Sequence, residues 1–314
     1  MEMKELMAKG KALLKEKDAS SRQYFEEAVE QGNDKANYYL ATIYRFGIGV
    51  DADLKKAVEL YTKAAKAGSN AAKYQLGKLS ESGRGVKKSK EEAKKYYREA
   101  ADANFPKAQL ELAKILEKEF DKAKIREENN NKRAIKIINE NKRPVKALKG
   151  DQEEVIVEYK IESDISNQEC IDLYQKYVDA THDEEATLHL AYLYEIGKGI
   201  QKDDAKAVEL YTSVAENGNT KIMNKLAKKF QLEGKIEDAY YWYNKLYQSG
   251  DPKASYTIAL MYEEAGNQEE ANKWYQVAAD ENNYDAKHKI NDLKGKQNNF
   301  IIGQEDKKEN NRRY

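Results

Sequence analysis

Leu40, Gly47, Gly49, Val50, Ala57 and Tyr61 recur 36 residues later as Leu76, Gly83, Gly85, Val86, Ala93 and Tyr97. The register returns at Ala186, and the string KAVELYT stands at both 56–62 and 206–212. Shorter copies start at Ile222 and Ala254, and a last partial copy starts at Ala286. Their interval is 32 residues, because the G-x-G-V loop gives way to a single Gly234 or Gly266. A fixed period of this size limits the chain to architectures in which each unit buries its apolar face against the next.

Each unit reads as two helices. Ala36, Leu40 and Tyr44 fall at i, i+4 and i+8, one stripe of a helix. Ala57, Leu60, Tyr61, Ala64 and Ala65 make the second stripe. Small alanines let helices approach, and Leu and Tyr fill the space beside them. Gly47 and Gly49 turn one helix into the next, and Gly68, Gly218 and Gly250 end the second. With only 3 prolines in 314 residues, the expected fold class is all-α, an α-solenoid of about seven to eight helix-turn-helix repeats.

The pattern A-x-x-x-L-x-x-x-Y-x-x-G-x-G-V, then K-A-x-x-x-Y-x-x-A-A-x-x-G, resembles the Sel1-like repeat of the tetratricopeptide-repeat superfamily. It is close in the units from Ala36, Ala72 and Ala186, and looser from Ile222 and Ala254. The resemblance implies a right-handed superhelix and a scaffold or adaptor for macromolecular complexes. It also admits an immunity protein that neutralises a cognate toxin, or a bacterial host-interaction factor. Cysteine-rich relatives carry a disulfide in each repeat; with Cys170 alone, this chain has no such version. Abundant Lys, Asn and Ile fit an AT-rich genome, bacterial or eukaryotic.

Residues 1–35 read as a degenerate capping repeat, with Phe25, Ala28, Val29 and Gly32 lying 36 before Tyr61, Ala64, Ala65 and Gly68. Regular repeats fill 36–118. Residues 119–165 read as an irregular repeat, with a charged loop around Asn129–Asn131 and a second helix restarting near Ala134-Ile135. Val155 and Tyr159 then take the spacing of Leu40 and Tyr44, and Cys170 falls near the Ala207 position. The solenoid is either continuous through this stretch or divided by a hinge, with VIVEYKI extended. Repeats resume over 166–294, and 295–314 reads as a disordered polar tail.

Nothing in the text assembles chemistry. No catalytic residue, no cofactor site and no metal site is expected, so the chain reads as a non-enzyme. His182, His189 and His288 are scattered, and Cys170 sits where other repeats carry a small core residue. The G-x-G loops follow helices and lack the Lys-Ser/Thr of a phosphate loop. Lys plus Arg and Asp plus Glu each number 55, which leaves no basic excess for nucleic acid. The basic Lys132, Arg133, Lys142, Arg143, Lys146 and Lys149 have acidic flanks and no interleaved aromatics. The charged opening MEMKELMAKGKALLKEKD is not a signal peptide. No segment is apolar enough for membrane insertion. The expectation is a cytoplasmic protein, a removed leader or signal-less secretion being compatible with the same text.

Tyrosine, at 23 against 6 Phe, exceeds what packing needs. Tyr44, Tyr61, Tyr97, Tyr194, Tyr211, Tyr243, Tyr262 and Tyr275 fall at core positions, with Trp242 and Trp274 beside them. If first helices line the concave face, the position two before the core Leu looks inward: Tyr38, Tyr74, Leu188, Asn224 and Tyr256. Four and seven residues on stand Thr42, Arg45, Lys78, Glu81, Tyr192, Glu195, Lys228, Gln231, Leu260 and Glu263. This ledge mixes tyrosine with both charge signs, a composition suited to a protein or peptide partner.

Overall fold

The computed structural model describes residues 1–141 and 166–295, with side chains omitted for 130, 131 and 133–141. Every regular element among them is helical. The chain forms two compact units. One holds the described residues up to 186 together with 196–202; the other holds 187–195 and those from 203 onward.

In the first unit, the helices are α1 (Met3–Lys15), α2 (Ser21–Glu30), α3 (Asn37–Phe46), α4 (Leu54–Lys66), α5 (Asn70–Ser82), α6 (Lys90–Ala101), α7 (Pro106–Asn141) and α8 (Gln168–Thr181), with one 3-10 turn at Asp34–Ala36. Each packs on its neighbours in chain order. Next come α9 (Glu184–Ile196), α10 (Asp204–Glu216), α11 (Thr220–Leu232), α12 (Ile236–Gln248), α13 (Ala254–Glu264) and α14 (Gln268–Asp280). A last helix, α15, spans 284–295. From α10 to α14 the same sequential packing holds within the second unit. The fold is an all-α repeat solenoid.

The stripes read from the sequence are the core. Ala36, Leu40, Ala41 and Ile43 are buried, as are Ala57, Leu60, Tyr61 and Ala64 on the partner helix. Tyr97, Tyr174, Tyr211, Tyr243 and Tyr275 repeat the buried Tyr61. Tyr44, Tyr194, Tyr262 and Trp274 are half-buried at its margin. Second helices start on side-chain caps: Asp53 accepts from the Lys56 N–H, Ser89 from Glu92 and Asp203 from Lys206. The same three residues donate their own N–H to carbonyls in the last turns of the first helices, Tyr44, Ser80 and Tyr194. Each long loop is thus tied at both ends.

The irregular stretch differs from the expected loop. α7 continues as one helix through Asn129–Asn131 to Asn141. No proline or glycine interrupts Pro106–Asn141 after its first residue, and local helical bonding needs no tertiary partner to propagate. Ala134-Ile135 therefore belong to this helix and not to a restarted one. Val155, Tyr159 and the VIVEYKI segment lie outside the described residues, as does the tail from 296. Cys170 is buried on α8, with its S–H donating to the Ala113 carbonyl at 3.3 Å.

Candidate functional site

The fifteen ledge positions lie on successive first helices, and none of them is fully buried. In the first unit these are Tyr38, Thr42 and Arg45 on α3, and Tyr74, Lys78 and Glu81 on α5. In the second they are Leu188, Tyr192 and Glu195 on α9, Asn224, Lys228 and Gln231 on α11, and Tyr256, Leu260 and Glu263 on α13.

The ledge tyrosines are held from behind. Tyr38 packs against Tyr61, Tyr74 against Tyr97 and Tyr256 against Tyr275, at 5.7, 5.8 and 5.7 Å between ring centres, tilted each time. A half-buried ring thus rests on the buried ring of its own repeat, which fixes it at little entropic cost. The first-helix tyrosines therefore belong to the intra-repeat packing as well as to the surface.

A polar ladder, absent from the reading of the sequence, runs along the same helices. The core tyrosine hydroxyl donates to the last ledge position of its repeat: Tyr97 to Glu81 at 3.1 Å, Tyr211 to Glu195 at 2.8 Å and Tyr275 to Glu263 at 2.5 Å. Tyr243 does the same to Gln231 at 2.8 Å, and Tyr174 to Glu117 at 3.1 Å. The first repeat departs, with the Tyr61 hydroxyl 3.2 Å from Thr42 Oγ1 and Arg45 bonding Gln75. The signal was legible. An acid or amide stands 16 residues before the core tyrosine in long repeats and 12 before it in short ones. Burial, then the adjoining carboxylate, pushes the Tyr97 and Tyr174 hydroxyls above the usual phenol range. Both therefore stay donors.

Lysines from the following repeat close the ladder in the second unit. Lys225 Nζ lies 2.7 Å from Glu195 and 2.8 Å from the Tyr211 hydroxyl, over the Tyr211 ring. Lys289 lies 2.7 Å from Glu263. In the first unit Lys198 sits 2.9 Å from both Glu117 and Asp121. Glu111, on α7, takes the repeat position of Lys225, and neither Glu81 nor Glu111 has an ion-pair partner among the described residues.

Burial opposes the Glu195 carboxylate, but bonds from Lys225 and Tyr211 outweigh it and hold its pKa below the ordinary 4.5. A lowered carboxyl stabilises the fold fully above its unfolded value and loses that contribution as pH falls through the folded value. Glu195→Gln is therefore expected to lower the thermal midpoint at pH 7 and to converge on wild type as pH falls below 4.5 and through the folded value. The loss should stay below about 1 kcal/mol, because both side chains remain partly solvated.

His182 caps α8 in the left-handed region, and His189 is half-buried on α9. His288 is exposed and meets the Tyr284 ring edge to face. Among the described residues, no group of His, Cys, Asp and Glu could hold a metal ion. No described helix is long and apolar enough to cross a membrane.

The family model described as Sel1 repeat matches six stretches, 8–33, 34–69, 70–105, 184–219, 223–251 and 258–283, more than half of the chain. Among solved structures, a Sel1 repeat protein of Oxalobacter formigenes is 24% identical, with TM-score 0.48 over 87% of this chain and 98% of that one. A protective antigen of uropathogenic Escherichia coli is 24% identical, with TM-score 0.38 over 93% and 67%. A Sel1 repeat protein of Klebsiella pneumoniae is 17% identical, with TM-score 0.33 over 87% and 99%. No curated protein matches the chain.

Proposed function

Because the chain belongs to the Sel1 repeat family, we propose that it is a non-enzymatic scaffold that holds a partner protein or peptide on the first-helix ledge. The observation behind this reading is the repetition of one arrangement. Half-exposed tyrosines rest on buried tyrosines, and exposed Tyr192, Lys78, Lys228 and Leu260 stand at the next ledge position. Rigid aromatic surface flanked by charge is what an interface needs, since little side-chain freedom is lost on binding. The extended face of a solenoid offers this over several repeats.

Exposed positions give the cleaner test, because Tyr38, Tyr74 and Tyr256 also pack on the core. Photocrosslinking residues would be placed at Lys78, Tyr192 and Lys228, with controls at Glu59 and Glu269 on second helices. In cells of origin, partner adducts are expected from the ledge positions alone. Equal yields from Glu59 and Glu269 would sink the reading. One stoichiometric adduct would favour a dedicated inhibitor, and several weaker ones an adaptor.

A further inference from the structure

The ledge continues past Tyr256 onto α15, where the residue two after Ala286 is His288 and the next ledge position is Asp292. Between α13 and α15 lies an open cleft of about 410 Å³, lined by Tyr256, Tyr284, Asp285, His288, Lys289 and Asp292. Its walls are aromatic. Tyr256 is braced by Tyr275, and Tyr284 and His288 meet edge to face at 4.3 Å between ring centres.

The charges of this cleft do not cancel internally. Lys289, its one cation, is bound to Glu263 at 2.7 Å on the neighbouring helix. Asp285 and Asp292 are exposed and have no ion-pair partner among the described residues. Lys287, on the same helix, is engaged by the Asn282 side chain at 2.7 Å. Two free carboxylates beside three rings present what a flat, apolar-faced cation requires. The rings take the face of the group, and the carboxylates accept from its N–H edge.

We propose that this cleft binds an arginine side chain of the partner. The proposal rests on the reading of the ledge as an interaction face and specifies the chemistry of one end of it. A guanidinium suits the site better than an ammonium, because it stacks and donates along two directions at once and sheds water more readily.

The test is an aromatic NMR titration of the full chain with N-acetyl-arginine-N-methylamide and with its neutral citrulline counterpart. Saturable shifts confined to Tyr256, Tyr284 and His288 are expected, with a dissociation constant on the order of millimolar. The citrulline compound should bind roughly tenfold more weakly or worse. Asp285→Asn/Asp292→Asn should abolish that preference, while Asp280→Asn, also exposed, should leave it intact; circular dichroism checks folding. Equal responses to the two compounds, or a preference that survives the double substitution, would overturn the proposal. So would arginine binding seen only in Arg312→Ala/Arg313→Ala, since the occupant would then be this chain. Ledge crosslinks without an arginine response would remove this inference alone. An arginine response without ledge crosslinks would keep the cleft's chemistry and remove the scaffold reading.

Discussion

Gly85→Ala is expected to destabilise the first unit by about 3 kcal/mol or more, against about 1 kcal/mol for Gly68→Ala. Both glycines have positive φ, +74° and +85°, so both substitutions carry the left-handed penalty. Their surroundings differ. A Cβ on Gly68 meets nothing within 4 Å, whereas one on Gly85 would stand 2.7 Å from the Leu54 carbonyl oxygen. Leu54 opens α4, the second helix of the preceding repeat. Because the obstacle is backbone, relief requires moving one repeat against the other. The contrast recurs: a Cβ on Gly49 would stand 2.2 Å from Ala19 Cβ, and one on Gly199 2.4 Å from the Phe120 ring. The second glycine of each G-x-G loop is thus the clearance through which one repeat seats on the one before it. Urea denaturation followed by circular dichroism would measure the pair. Equal losses would mean that the left-handed backbone they share, and not the seam, carries the cost.

Native Cys170 is expected to react with a thiol reagent at pH 8 at least roughly tenfold more slowly than an exposed cysteine on thiolate scarcity alone, and more slowly still for lack of access. Burial, followed by the nearby Glu117 carboxylate, pushes its thiol up to about 12. The thiolate is the nucleophile, so its scarcity slows the reaction on its own account. The side chain is 1% exposed between α7 and α8, with its S–H on the Ala113 carbonyl. Labelling should then follow opening of this helix pair and accelerate with sub-denaturing urea. Fast labelling of the native protein would show that α8 does not stay seated on α7. Cys170 takes the place of Ala57, Ala93 and Ala207 in other repeats, so Cys170→Ala should fold and serve as the unlabelled control.

Periodicity alone determined the helix pairs, the alanine and tyrosine core positions and the glycine turns. These are local or nearest-neighbour properties, and a repeat states them several times in one chain. Leu40, Tyr61, Gly83 and Tyr97 are where the register puts them. That the fifteen ledge positions stand on first helices and stay out of the core was likewise legible, because position on a helix fixes direction.

Tertiary structure decided what those side chains meet. Glu81, Glu195, Gln231 and Glu263 read as ledge residues open to a partner, yet each accepts from a buried tyrosine. Lys225 and Lys289 then reach back to Glu195 and Glu263 from the next repeat. The lysine contacts depend on how one helix pair seats on the next, and the helical period does not encode that distance. The run through Asn129–Asn131 shows the converse case. Asparagines and charges read as a loop because they have no apolar stripe, yet no proline or glycine stops the helix there and it continues to Asn141.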